Sequence, residues 1–142
     1  MANLIEDLVV FTVPLFPPTI NHYWSDCFYT GRDGYGHRGR KLTPQAKAFK
    51  AAVAIFSQGR TVAPESLNDR RKCMYRVEAH VFYGPKMRGD ADNFGKAICD
   101  SLEYAGVIHS DANVDFRVVP HKDERNNPMN PRTQFIVERL GA

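Results

Sequence analysis

M-Y-R-V-E-A-H-V-F-Y-G-P-K-M-R-G-D-A-D-N-F-G-K-A-I-C-D-S-L-E-Y-A-G, residues 74–106, changes its hydrophobic period midway. From Met74 to Tyr83 the pattern alternates. Tyr75, Val77, Ala79, Val81 and Tyr83 face one way, and Arg76, Glu78, His80 and Phe82 the other. That is the mark of a strand covered mostly on one side. Gly84-Pro85 stops it, because proline cannot donate to a ladder. From Asp92 to Tyr104 the spacing becomes helical. Phe94, Ala97, Ile98, Ser101 and Leu102 form an inward stripe, with Asn93, Lys96, Asp100 and Glu103 on the opposite face. Asp92 is placed to cap this helix and Gly106 to close it in the left-handed conformation.

Working outward, Val114–Val119 and Thr133–Leu140 read as two more strands around a turn-rich N-N-P-M-N-P segment. Upstream, Leu8–Leu15 is a β-rich run that meets Pro14 and Pro17-Pro18. Thr43-Pro44 opens a second helix, with threonine as cap and proline at the first helical position. Ala46, Phe49, Val53 and Phe56 give it one apolar stripe, and Gly59 ends it. Thr61–Lys72 reads as a polar surface connection. Thr19–Leu42 has little period, and residues 25–42 are expected to be a basic loop or loose hairpin. There is no repeat and no dividing linker. Residues 1–142 are thus expected to form a single α+β domain, a mixed sheet of about four strands packed with two main helices.

The 142 residues are 43% hydrophobic, 25% charged and 11% aromatic, which excludes disordered, collagen-like and coiled-coil chains. No stretch approaches the roughly 18 consecutive apolar residues of a membrane span. Met1–Leu15 carries Glu6 and Asp7 without a basic lead, so no signal peptide is expected, and a cytoplasmic location is. Cys27, Cys73 and Cys99 are odd in number with no C-x-x-C, which argues for reduced thiols in or near the core.

The net charge of +3 conceals a segregation. Asp26–Gly89 holds 13 Lys+Arg against 5 Asp+Glu, whereas Asp90–Asp115 holds 6 acids and one base, Lys96. A basic body around a compact acidic cluster suits a metal-dependent phosphodiester enzyme, since one attracts the polyanion and the other holds a cation. A solvated acidic helix face is the alternative, and composition alone favours it.

Asp90 and Asp92 stand two apart before a helix, a spacing that puts both side chains on one side of an extended segment. Both offer oxygen to a hard cation. Lys96, about one turn further in, can meet a phosphate oxygen or a leaving oxygen. Asp111 follows the helix and can return beside Asp90. Three converging carboxylates repel one another unless a cation such as Mg²⁺ is present. Asp92 as a simple cap beside a solvated Asp90 explains the same residues.

The segment from Arg88 to Val119 resembles the active-site region of the RusA-type Holliday junction resolvases. That family has an arginine-rich lead, then D-x-D-N-x-x-K-x-x-x-D-x-L and G-x-x-x-D-D-x-x-V. Val13–Tyr23 is similar to the family's P-x-P-P-S-x-N-x-Y opening, and the Leu42–Phe49 helix start lies where the family has one. The resemblance implies a RusA-like fold and an endodeoxyribonuclease that depends on Mg²⁺, or Mn²⁺. It implies a homodimer that makes paired symmetric cuts in four-way DNA junctions during recombination and repair, often prophage-borne. It makes Asp90, Asp92 and Asp111 the metal site and Lys96 the catalytic lysine. Asp100 matches a further acidic position, or simply pairs with Lys96 at i,i+4. Ser110 stands where the family usually has an aspartate, and Gly89 where it has a base.

For DNA binding the residues of choice are Arg32, Arg38, Arg40, Lys41, Lys47, Lys86 and Arg88. Tyr23, Trp24, Phe28 and Tyr29 can stack on unpaired bases, although core burial is expected for at least two of them. Gly34–Gly39 matches G-x-G-x-x-G, but it opens no helix and no acidic residue follows about 20 positions on, so no nucleotide cofactor is expected. The five histidines show no metal-ligand spacing, and His109 is the one that could touch the site. The rival readings are a nuclease for another branched or structured nucleic acid, a non-catalytic junction-binding module, and a plain interaction domain.

Overall fold

Alternation in four segments builds the central sheet. The computed structural model describes residues 4–84, 91–122 and 131–141. Its strands are β1 (Leu4–Ile5), β2 (Leu8–Val13), β3 (Trp24–Thr30), β4 (Gly36–Leu42), β5 (Arg60–Thr61), β6 (Met74–Phe82), β7 (Val114–His121) and β8 (Arg132–Gly141). Its helices are α1 (Pro44–Phe56), α2 (Leu67–Lys72) and α3 (Gly95–Tyr104). Short 3-10 turns occupy Ile20–His22, Ala91–Phe94 and Asp111–Asn113. The main sheet runs β2-β8-β6-β7, with β6 and β7 parallel and the other pairs antiparallel. This is the mixed four-stranded α+β arrangement that the periodicity predicts. β7 is an edge strand, which is where Pro120 is tolerated.

One face of the sheet is packed and the other is open. Val9, Phe11 and Val13 of β2, Tyr75, Val77, Ala79 and Val81 of β6, and Phe135 and Val137 of β8 are buried. Ala46, Phe49 and Val53 of α1 and Ala97, Ile98, Ser101 and Leu102 of α3 complete this core. Phe135 stacks on Phe11 at 4.9 Å between ring centres, with Phe49 at 6.3 Å on the helix side. Thr43 caps α1 as expected, its hydroxyl accepting from the Ala46 N–H at 3.1 Å. Gly106 closes α3 at φ 78°, its N–H donating to the Glu103 carbonyl and that of Val107 to the Leu102 carbonyl, both at 3.0 Å.

Four expectations change. Phe56 is 43% exposed, so the apolar stripe of α1 ends at Val53. The connection at Thr61–Lys72 is not wholly superficial. It contains α2, and Thr61, Val62 and Ala63 are buried. The basic segment at 25–42 is a regular antiparallel hairpin with seven paired positions, Trp24↔Leu42 through Thr30↔Gly36. None of its paired residues is buried, so their pairing is set by the turn and not by a buried face. Finally, Asp92 does not cap α3. It lies inside the 3-10 turn, and Phe94 holds the cap position with no side-chain cap bond.

Candidate active site

The site is built where the start of the hairpin meets α3. The Ile20–His22 turn delivers Tyr23 to the interior, where it is 1% exposed. Thr43 pins this point twice. Its N–H donates to the Tyr23 carbonyl at 3.0 Å and its hydroxyl to the His22 carbonyl at 2.7 Å. The Tyr23 hydroxyl donates to Asp100 Oδ2 at 2.8 Å. Lys96 Nζ lies 3.2 Å from the same oxygen and 3.4 Å from Oδ1. Asp100 therefore takes a neutral donor from the core side and a cation from the solvent side. Burial and the adjacent Asp100 carboxylate push the Tyr23 phenol above its ordinary pKa, so it stays a donor across the neutral range. Lys96 keeps nearly half of its side chain in solvent, leaving ammonium hydrogens for an incoming anion.

Two further carboxylates stand on the short turns that precede and follow α3 in the chain. Asp92 is exposed on the Ala91–Phe94 turn, and Asp111 is exposed as the first residue of the Asp111–Asn113 turn. Ser110 has a structural use here, since its hydroxyl accepts from the Ala112 N–H at 3.2 Å and shapes the turn that presents Asp111. Cys99 reports the local field. Burial first, then the charges of Asp111, Asp100 and Glu103, push its thiol up to about 11, with Lys96 opposing. The charges of Asp111, Asp100, Glu103 and Lys96 are thus all felt at Cys99 on α3. Asp90 lies outside the described residues, and so do Lys86, Arg88 and Gly89. Among the described residues, no three His, Cys, Asp or Glu side chains form a group able to hold a metal ion.

The basic residues fall into two groups. Arg32 is exposed in the hairpin turn, and Arg38, Arg40 and Lys41 are exposed on β4. Lys47 is exposed on α1 and lines a shallow groove with Leu42, Lys50, Ala51 and Tyr104. Of the four aromatics, Tyr23 is buried and Trp24 packs partly against the core, with its ring 5.1 Å edge-on from that of Tyr23. Phe28 and Tyr29 are 76% and 54% exposed. The G-x-G-x-x-G match falls on the hairpin turn and β4, away from any helix start. His109 lines a cavity of about 450 Å³ with Glu65, Arg70 and Glu103.

Two features have no forewarning in the sequence. Tyr23 and Asp100 are 77 residues apart, and no local spacing connects them. Lys50 places its ammonium over the Tyr104 ring at 4.8 Å, a contact between α1 and α3 that needs the packing of both helices.

The three cysteines are free. No described helix is long and apolar enough to cross a membrane. No curated protein matches the chain closely enough to count as a relative. A family model described as Endodeoxyribonuclease RusA matches residues 29–134. That span runs from inside the basic hairpin, through α3 and both flanking turns, and into β8. The chain therefore belongs to the RusA endodeoxyribonuclease family, whose members are Holliday junction resolvase nucleases.

Proposed function

We propose that this chain is a Mg²⁺-dependent endonuclease that resolves four-way DNA junctions by paired, symmetric cuts, acting as a homodimer. The observation that carries the proposal is the bond chain from Tyr23 to Asp100 and Lys96 of α3, with Asp92 and Asp111 exposed on the turns that precede and follow that helix in the chain. Members of the family generally depend on a divalent metal. Exposed carboxylates are the donors a hard cation prefers, and Asp90, Asp92 and Asp111 would hold it. When bound, Mg²⁺ or Mn²⁺ supplies Lewis-acid polarisation of the phosphodiester and a more acidic water.

The protein's own groups account for the rest. Lys96, fixed on one side by Asp100, offers its ammonium to the phosphate or to the leaving 3′-oxygen, where charge grows in the transition state. Water adds to phosphorus, the P–O3′ bond breaks, and a 5′-phosphate and a 3′-hydroxyl remain. Arg32, Arg38, Arg40, Lys41 and Lys47, with Lys86 and Arg88, bind the backbone. Two equivalent cuts on a four-way junction need two equivalent sites, which a two-fold dimer supplies.

The test is cleavage of an end-labelled synthetic four-way junction with Mg²⁺, beside linear duplex and beside EDTA. Paired symmetric nicks on the junction alone are expected. Equal cutting of linear duplex, or cutting that persists in EDTA, would overturn the proposal.

A further inference from the structure

The β3–β4 hairpin exposes an aromatic and guanidinium face that DNA-backbone binding does not require. In an antiparallel ladder, residues directly opposite share a face. Trp24, Asp26 and Phe28 of β3 lie on one side with Arg38, Arg40 and Leu42 of β4. On this face the Arg38 guanidinium sits 5.6 Å from the Phe28 ring centre and Arg40 5.7 Å from that of Trp24. Phe28 is 76% exposed, more than any other large apolar side chain described. The opposite face is exposed too, but its aromatic ring already has a partner. There Tyr29 stacks on His37 at 5.4 Å, and a side chain at Gly39 would sit 3.0 Å from the Tyr29 ring.

The tip is also preset. The Gly34 N–H donates to the Gly31 carbonyl at 3.0 Å, with Gly34 at φ 80°. Asp33 accepts from the Tyr35 N–H and from His37, both at 3.0 Å. A side chain at Gly31 would stand 2.7 Å from the His37 ring. Seven residues of strand project roughly 20 Å. The base of that projection is Trp24, next in chain to the tyrosine that bonds Asp100.

We propose that this face of the hairpin is a platform on which unpaired DNA bases stack, with Phe28 as its principal contact. This rests on the nuclease reading for the identity of the polymer. Flat π faces and planar guanidinium groups suit flat bases on an anionic backbone. Paired bases inside a duplex hide their faces, so the platform selects bases freed from stacking, as at a branch point. An apolar protein surface fits less well, because it would bury the charges of Arg38, Arg40 and Asp26 that share this face. Phe28 and Trp24 stand about 13 Å apart along β3, so each ring takes its own base of one strand. The platform begins one residue from Tyr23, whose hydroxyl bonds the carboxylate that holds Lys96.

The experiment uses the full chain in EDTA, so that nothing is cut. The probes are a single strand carrying 2-aminopurine, a four-way junction carrying 2-aminopurine at its centre, and a linear duplex. Phe28→Ala is compared with Phe28→Trp, and both are safe for folding because the side chain is exposed. The wild type is expected to change the 2-aminopurine signal of the single strand and of the junction centre. Phe28→Ala should weaken binding to both by about fivefold or more while leaving duplex binding within twofold, and Phe28→Trp should restore it. Equal loss on all three probes, or no loss on any, would overturn the platform. So would a change of oligomeric state in Phe28→Ala by light scattering, which would assign the face to a second copy of the chain. The single-strand probe keeps the two readings apart. A wild type that stacks on single strands but ignores junctions would sink the resolvase reading and leave the platform standing.

Discussion

Helix α3 and the β3–β4 hairpin carry opposite charge and are held in place by opposite means. α3 buries Ala97, Ile98, Ser101 and Leu102 against the sheet, so Lys96 and Asp100 sit on a frame fixed by the core. None of the fourteen paired residues of the hairpin is fully buried. Its shape comes from backbone pairing, the Gly31–Gly34 turn and the Thr43 anchor at its base. A frame set by packing suits chemistry, where small displacements are costly. A frame set by local pairing suits a surface that meets a flexible polymer. The two regions are joined at Tyr23, buried beside α3 and adjacent to the hairpin's first residue. Substitutions in α3 and its turns should alter cutting at constant binding, and substitutions in the hairpin should do the reverse.

The largest expected effect is at Asp92. Asp92→Asn keeps the shape of an exposed side chain and removes a charge. Cleavage of the four-way junction should fall by about a thousandfold or more, with junction affinity in EDTA unchanged. Wild-type cutting by this variant would remove Asp92 from the reaction. Loss of binding in step with cutting would collapse the division between the two regions.

Next come the residues around Lys96. Lys96→Ala should lower cutting by roughly a hundredfold to a thousandfold, the scale for one group that stabilises developing charge. Asp100→Asn tests placement. It retains an acceptor for Tyr23 but no longer balances the ammonium, and about a tenfold loss of cutting is expected with no change in affinity. Tyr23→Phe removes one hydrogen bond to a carboxylate and should cost about 1–2 kcal/mol of stability in urea unfolding. If Asp100→Asn cut normally, Asp100 would serve only to satisfy Tyr23.

These residues also mark how far the sequence could be read. The alternation of Tyr75, Val77, Ala79, Val81 and Tyr83 and the spacing of Phe94, Ala97, Ile98 and Leu102 decide buried faces locally, and the structure buries all of them. Thr43 and Gly106 act where local chemistry places them. The spacing of Asp92, Lys96 and Asp111 alone does not separate a metal site from a helix cap, and the family resemblance is what points to the former. What stays hidden depends on distant pairing. Asp100 cannot be given its tyrosine without knowing that the turn at Ile20–His22 lies on α3. The hairpin is illegible for another reason. The apolar residues of β3, Trp24, Cys27, Phe28 and Tyr29, follow no alternation, because neither face of the hairpin is buried along its length. Asp92 shows the limit of cap statistics, since a 3-10 turn absorbed the residue that a cap would have used.

The hairpin's charges have a smaller effect on binding. Arg38→Ala and Arg40→Ala should each lower the slope of log affinity against log salt by about one, if each neutralises a phosphate. Measurements across several salt concentrations separate this from loss of stacking, which lowers affinity with little change of slope. Thermal stability should stay within about 0.5 kcal/mol of the wild type, because neither side chain is buried. A large drop in melting temperature would show that the hairpin is part of the packed frame.

The smallest effects should appear as pH dependence of stability, and the two regions should respond at opposite extremes. In the folded chain Tyr23 has its pKa raised by burial and by Asp100, from an ordinary value near 10. A group with a raised folded pKa contributes its full stability below the unfolded value and loses it as pH rises beyond that. The urea midpoint should therefore fall above about pH 10, and Tyr23→Phe should flatten that fall. Asp33 in the hairpin turn is shifted the other way, held low by the His37 hydrogen bond and by the Tyr35 N–H. Its contribution is present above the ordinary carboxylate value near 3.8 and is lost as pH falls through the lowered one. Asp33→Asn should therefore affect only the acid side, read as hairpin amide exchange and not as global unfolding, because the carboxylate is exposed. An alkaline effect confined to the hairpin, or an acid effect of Asp33→Asn on the whole fold, would mean that the two regions share a frame through Tyr23 and are not held separately.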